Sequence, residues 1–256
     1  MRWDPQQYAR FADERARPFH DLIARIGIAA PRHVVDVGCG PGALTTLLAQ
    51  RWPGALVEGF DPSPEMISAA AELAGERLTF RVEDAATWQP NDETDVIVSN
   101  AALQWVPSHR PLVARWAGAL PSGGWLAFQV PGNFDSPSHT IMRSLASAPQ
   151  WTTLLAGILR HDNAVGTPAE YAALLLGAGL VVDVWDTTYQ HVLTGEDPVL
   201  DWLRGTGLRP VLAALSPEDG ARFCAEFAAE LRRAYPPTAH GTLFAFRRVF
   251  AVGRKP

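Results

Sequence analysis

The stretch Val34-Val35-Asp36-Val37-Gly38-Cys39-Gly40-Pro41-Gly42 constrains this chain more than any other. Val34, Val35 and Val37 are β-branched and suit a strand covered on both faces. Glycines then recur at alternate positions. After them, Ala43-Leu44-Thr45-Thr46-Leu47-Leu48-Ala49 places Leu44, Leu47 and Leu48 on one helical face. A strand that breaks on three glycines into a helix lets a ligand approach bare backbone. Asp36, the acid before the turn, asks for a ligand with a positive or hydroxylated part.

The strand–helix alternation continues. Residues 55–61 read as a second strand ending in Asp61, and Pro64 to Leu73 as a helix with Ser63 as its cap. Strands follow at 78–82, 95–100 and 125–130, with a helix at 112–120 before the last of these. This spacing implies parallel strands with helices on both faces. The pattern breaks after Pro131. Residues 134–179 read mainly as helices, including one started by Thr167-Pro168 and ended by Gly179. Two further strands are expected at 180–192 and 243–252, and helices at 197–204, 209–215 and 217–235. At the other end, Asp4-Pro5 looks like a helix start, and a second short helix is expected from Pro18 through Leu22, Ile23 and Ile26. Tyr8 and Phe11 share a face and serve either as packing or as a lid over a pocket.

The sum is an α/β, Rossmann-like, mostly parallel seven-stranded sheet with helices on both faces, an N-terminal helical extension and a helical insert forming a substrate cap. Residues 1–256 are read as one domain, divided into an N-terminal lid (1–30), a cofactor-binding core (31–132), an insert (133–179) and final strands with a helical cap (180–256).

Charge and cysteine usage narrow the function. A net charge of −5 leaves no nucleic-acid footprint, and no basic run suggests a membrane surface. Neither a signal peptide nor a membrane-spanning run is expected. Cys39 and Cys224 are the only cysteines, which points to a reducing, cytoplasmic setting rather than a disulfide framework. The histidines are scattered, so no zinc site is expected.

Four strand ends carry polar residues. Asp36 and its glycines follow the first strand, Asp61 ends the second, Asp84-Ala85 follows the third, and Asn100 ends the fourth. Adjacent carboxyl ends of an open parallel sheet form the ligand crevice. A carboxylate at Asp61 suits a vicinal diol, because its oxygens only accept hydrogen bonds. Asp84 stands where an exocyclic adenine amine could donate. These features ask for an adenosine ligand. A nicotinamide site normally reads G-x-G-x-x-G, whereas this chain has the tighter Gly38-x-Gly40-x-Gly42.

That spacing resembles motif I of the class I S-adenosylmethionine-dependent methyltransferases, and Asp61, Asp84 and the Asn100 segment resemble the later motifs. The resemblance implies that Gly38 to Gly42, Cys39 included, wrap the methionine part of S-adenosylmethionine while Asp36 orients its ammonium. It implies that Asp61 holds the ribose, Asp84 and Ala85 the adenine, and that Asn100 and Ala101 lie near the sulfonium. Pro62 or Met66 packs near the ring, although Met66 reads equally well as helix core. Cys39 reads as a small loop residue rather than a nucleophile.

Segments outside the core resemble the trans-aconitate methyltransferases. They are Trp3-Asp4-Pro5 with Tyr8, Phe11-Ala12, Glu14-Arg15 and Arg17-Pro18; Asn100 to Pro107; Gln129 to Asn133; Trp185 to His191; and Asp201-Trp202 with Thr206 to Pro210. The likeness covers nearly the whole chain but is poor between about Ala146 and Gly166. It implies a small polycarboxylate acceptor, one carboxylate of which is esterified without a catalytic base because it is already ionised. Arginine forks suit the remaining carboxylates. Arg209 is the first candidate, followed by Arg15, Arg17, His191 and Arg248; Gln104, Trp105, Tyr189 and Tyr8 complete the expected acceptor side. The alternatives are a methyltransferase of the same fold acting on another small molecule, such as a quinone precursor or fatty acid, and a non-catalytic cofactor-binding protein.

Overall fold

The structure, a computed structural model, describes residues 12–159 and 164–256. Among the described residues eight strands form one sheet: β1 (His33–Val37), β2 (Leu56–Asp61), β3 (Leu78–Val82), β4 (Thr94–Asn100), β5 (Trp125–Pro131), β6 (Val181–Leu193), β7 (Pro237–Thr238) and β8 (Gly241–Arg254). Their order is β3-β2-β1-β4-β5-β8-β6, with β7 paired only to the start of β8. The five strands from β3 to β5 are parallel, and β8 runs antiparallel to both β5 and β6. The expected seven strands are the continuous path. The eighth, β7, is two residues folded back on β8, too short to leave an alternation pattern.

Helices cover both faces. On one face α1 (Ala12–Ile23) and α2 (Thr45–Arg51) bury Phe19, Leu22 and Leu48 against Val34, Val96, Val98 and Phe250. On the other, α4 (His109–Ala119) and α7 (Pro168–Gly177) bury Trp116, Tyr171 and Leu175 against Val35, Ile97, Leu126 and Phe128. The short α3 (Pro64–Ala70) is capped as the sequence predicts: Ser63 Oγ accepts from the Met66 N–H at 3.3 Å. Thr167 and Glu170 form a reciprocal capping box at the start of α7: each side chain accepts from the other's backbone N–H, so two otherwise unpaired donors are satisfied.

The N-terminal helix differs most from the sequence reading, starting earlier and ending at Ile23 rather than running through Ile26. Pro18 does not open a helix; the chain is already helical at Ala12, and Pro18 lies inside α1. A proline removes one backbone hydrogen bond and normally breaks a helix. Here the residues after it, Phe19 and Leu22, are fully buried, and that burial offsets the missing bond.

The antiparallel pair decides where the site lies. Along β8, Arg248 faces Pro131, the last residue of β5, and among the described strands residues 243–247 run on beside β6 alone. The β6–β8 ribbon therefore projects beyond the parallel strands. Its far end carries a third core, in which Leu193, Phe244 and Phe246 pack with α5 (Pro137–Ala146), α6 (Thr152–Leu155), α8 (Pro198–Arg204), α9 (Arg209–Ala214) and α10 (Pro217–Ala234). This helical group overhangs the carboxyl ends of the strands as a cap.

Helix α1 is fastened along β6. Arg17 lies 5.2 Å over the Tyr189 ring, Tyr189 Oη donates to Asp21 at 2.5 Å, and Arg25 lies over Trp185 and pairs with Asp183 at 3.0 Å. Arg17 and Asp21 lie on α1 itself, and Arg25 lies in the turn that follows it.

Candidate active site

The glycine turn leaves the end of β1 in a conformation that only glycine adopts freely. Gly38, Gly40 and Gly42 have φ of 75°, 56° and 81°. A side chain at Gly42 would come within 2.8 Å of the Phe80 ring, and one at Gly38 would overlap Ala102. Around Gly40 there is open space. The turn is tied to β2: the N–H groups of Gly38 and Cys39 both donate to the Phe60 carbonyl, and the Gly40 N–H donates to Asp61 Oδ2 at 3.1 Å. Asp61 Oδ1 accepts from the Ser63 N–H at 2.9 Å. Asp61 is thus fixed by two backbone donors and keeps further lone pairs for a ligand.

These residues line a cavity of about 390 Å³ over the strand ends. Every cofactor residue expected from the sequence contributes to its wall except Gly42, which packs behind it: Asp36, Gly38, Cys39, Gly40, Asp61, Pro62, Met66, Asp84, Ala85, Asn100 and Ala101. Met66 is both core and wall, being 3% exposed. Phe19 of α1 adds an aromatic wall that the sequence reading did not assign. Asp36 is buried and accepts from Thr45 Oγ1 at 2.7 Å. Burial raises its carboxyl to about 7; the Thr45 hydroxyl works against this shift and the Asp61 charge adds to it. Burial also pushes the Cys39 thiol up, and the charges of Asp36 and Asp61 add to that. Cys39 is therefore no nucleophile.

A second cavity, of about 290 Å³, lies under the cap. Asn100, Ala101 and Trp105 line both, so the cavities meet at the end of β4. Ala101 has a φ of 55°, a left-handed conformation unusual for alanine. Its N–H donates to the Gln129 carbonyl, and its own carbonyl accepts from Gln104 Nε2 at 2.5 Å. The side-chain oxygens of Asn100 and Gln104 are buried without a hydrogen-bond partner among the described residues. Buried polar atoms of this kind call for an explanation, and a bound ligand at the junction supplies one.

The second cavity contains two guanidinium groups, Arg143 from α5 and Arg248 from β8. Arg143 donates to the Phe134 carbonyl at 2.7 Å, and Arg248, 5% exposed, lies 4.6 Å over the Phe246 ring. His139 joins them; burial and the Arg143 charge lower its imidazole to about 4, so it is neutral near pH 7. Phe134, Met142, Ile158, Leu159, Trp202 and Phe246 form apolar walls.

The other expected acceptor residues are placed differently. Gln104 and Trp105 line the second cavity. Tyr189 does not: its hydroxyl is engaged by Asp21, so it anchors α1. His191 is buried behind the wall, 4.9 Å from the Trp202 ring. Burial and the charges of Arg248 and Arg17 lower it to about 4. Arg209 is half-buried at the start of α9; its neighbour Pro210 lines the cavity and Arg209 does not. Tyr8 and the side chain of Arg15 lie outside the described residues. His139 and Arg143 were not found from the sequence, since no strand end or glycine turn marks them.

A methyltransferase-domain family model matches residues 8–183. Curated relatives named trans-aconitate 2-methyltransferase include one from Streptomyces avermitilis, 55% identical over 99% of this chain and 97% of its own length. Another, from Streptomyces coelicolor, is 56% identical over 99% of this chain and 87% of its own. Among solved structures, phosphoethanolamine N-methyltransferase 2 of Haemonchus contortus, in complex with S-adenosyl-L-methionine, superposes with a TM-score of 0.57 at 18% identity. It covers 94% of this chain, which spans about half (52%) of that one, and it supports the fold. More than half of the residues are thus shared with curated relatives along nearly the full length, and the chain belongs to the trans-aconitate 2-methyltransferase family.

Proposed function

We propose that the protein transfers a methyl group from S-adenosylmethionine to one carboxylate of trans-aconitate, forming a monomethyl ester. The observation that carries this reading is the pair of cavities joined at Asn100, Ala101 and Trp105, one walled by carboxylates and glycine backbone, the other holding Arg143 and Arg248. Bound S-adenosylmethionine supplies a methyl group activated by its sulfonium. Asp61 accepts from the ribose hydroxyls, Asp84 from the adenine amine, and Asp36 faces the ammonium. Arg143 and Arg248 bind the carboxylates that do not react, which leaves the third at the junction. It is ionised near pH 7, carboxyl groups having pKa values of about 4, so no residue has to remove a proton. The chain's contribution is alignment and exclusion of water, and alignment alone can supply ~7–11 kcal/mol.

An acceptor panel tests this. With labelled S-adenosylmethionine, trans-aconitate should show a higher kcat/KM than cis-aconitate, citrate or isocitrate. No transfer to trans-aconitate would remove it as the substrate. The apolar walls favour one second reading, a carboxylate with a hydrocarbon tail, and a medium-chain fatty acid belongs in the same panel.

Asp36 makes cofactor binding pH-dependent. Below about 7 it is protonated and must lose that proton before pairing with an ammonium. Affinity for S-adenosylhomocysteine should therefore weaken as pH falls below 7, approaching about tenfold per unit. Calorimetric titration across this range should show the slope in the wild type and a flatter profile in Asp36→Asn. A flat wild-type profile would remove Asp36 from ammonium recognition.

A further inference from the structure

We propose that Gln129 is a positioning residue for the acceptor: it holds the Arg248 guanidinium at the cavity floor through a neutral oxygen that brings no negative charge to the site. This inference rests on the trans-aconitate reading above.

Gln129 is fully buried in the middle of the sheet, between Asn100 on β4 and Phe250 on β8. On its face the nearest residues toward the sheet interior, Val98, Ala127 and Phe250, are apolar, and the polar residues Asn100 and Arg248 stand only at the strand ends. A leucine or methionine would suit such a place better, because a buried amide is costly unless fully hydrogen-bonded. This amide is not: among the described residues its Nε2 has no hydrogen-bond partner. What the side chain does is accept from Arg248 Nη1 at 3.3 Å. The contact follows from register. Gln129 faces Phe250 and Pro131 faces Arg248, so Gln129 and Arg248 are diagonal neighbours on one face, within reach of long side chains. The guanidinium is thus set between the amide and the Phe246 ring, 4.6 Å away, at the level where β5 ends.

A glutamate in this position would hold Arg248 more strongly, since ion-assisted hydrogen bonds exceed neutral ones. It would also set an anion beside the place where carboxylates must bind. Glutamine keeps the hydrogen bond and omits the charge.

The two roles, scaffold partner and acceptor positioner, predict opposite orders for two substitutions in the full chain. Gln129→Glu keeps the bond and adds charge; Gln129→Met keeps the volume and loses the bond. If Gln129 positions Arg248 for an anion, Gln129→Glu should raise the KM for trans-aconitate at least about tenfold, with kcat within about threefold of wild type. S-adenosylhomocysteine binding should be unchanged, and the melting temperature no lower than that of Gln129→Met. Gln129→Met should raise KM by less. The reverse order, with the glutamate variant near wild type and the methionine variant impaired, would overturn the proposal. Should the glutamate variant fail to bind S-adenosylhomocysteine, Gln129→Met decides. A KM raised several-fold with kcat and cofactor binding intact supports positioning, and parallel losses in all three reject it. Wild-type protein that does not turn over trans-aconitate removes the parent reading and this one together; turnover with the reversed variant order removes this one alone.

Discussion

Replacing Arg248 by alanine is expected to lower kcat/KM for trans-aconitate roughly 100- to 1,000-fold, because truncating one partner of a buried charge pair costs ~3–4 kcal/mol. The size follows from its setting. Arg248 is 5% exposed, over the Phe246 ring and beside Gln129. Water therefore screens little of its attraction for a carboxylate. S-adenosylhomocysteine binding should stay within about threefold, since Arg248 lines the cavity under the cap, where the acceptor is proposed to bind, and not the one over the strand ends. Arg248→Lys should recover little, because an ammonium cannot reproduce the two-pronged fork. Steady-state kinetics with a binding control decide it. Equal losses in acceptor turnover and cofactor binding would instead make Arg248 a general support of the fold.

The second large effect is expected at Gly38. In Gly38→Ala the new methyl group would overlap Ala102, in a backbone conformation with φ of 75°. The left-handed conformation costs ~1–2 kcal/mol for a non-glycine residue and forced overpacking ~1–3 kcal/mol. For a chain of this size that corresponds to a melting temperature lower by roughly 5–15 °C. Cofactor affinity should fall at least about tenfold, because Ala102 belongs to the same wall and must shift to make room. Gly40→Ala is the comparison: it meets nothing within 4 Å and bears only the conformational cost at φ 56°. A Gly40→Ala variant less stable than Gly38→Ala would show that the overlap is relieved without cost.

The grouping of the proposed cofactor residues around one cavity was legible in the sequence because it obeys a local rule. Asp36, Asp61, Asp84 and Asn100 each stand at the end of a strand marked by β-branched residues, and parallel strand ends converge whatever covers them. The acceptor half obeys no such rule. His139 and Arg143 lie on a helix whose only distinction is the surface it faces, and that depends on packing with α10 and the β6–β8 ribbon. Arg248 left a faint signal: in 244–250 the buried register reads Phe244, Phe246, Arg248, Phe250, with one cation among aromatic residues. Tyr189 and His191 share their face of β6 with Trp185, but a side chain on that face can meet either α1 or the cavity, and sequence does not distinguish them. Pro18 misled for a related reason, since local chemistry disfavours a proline there and tertiary burial overrules it.

The place of β8 in the sheet has a consequence for the birth of the molecule. Among the described residues β6 touches the sheet only through β8, a strand that leaves the ribosome roughly sixty residues later. Until then β6 has no edge to join, and α1 has no seat for Arg17, Asp21 and Arg25. Strands β1 to β5 are all available by Pro131 and can pair as they emerge. A nascent chain thus owns the parts of the cavity over the strand ends before the cavity under the cap is complete. The residue on which acceptor binding is proposed to depend, Arg248, arrives on the last strand made.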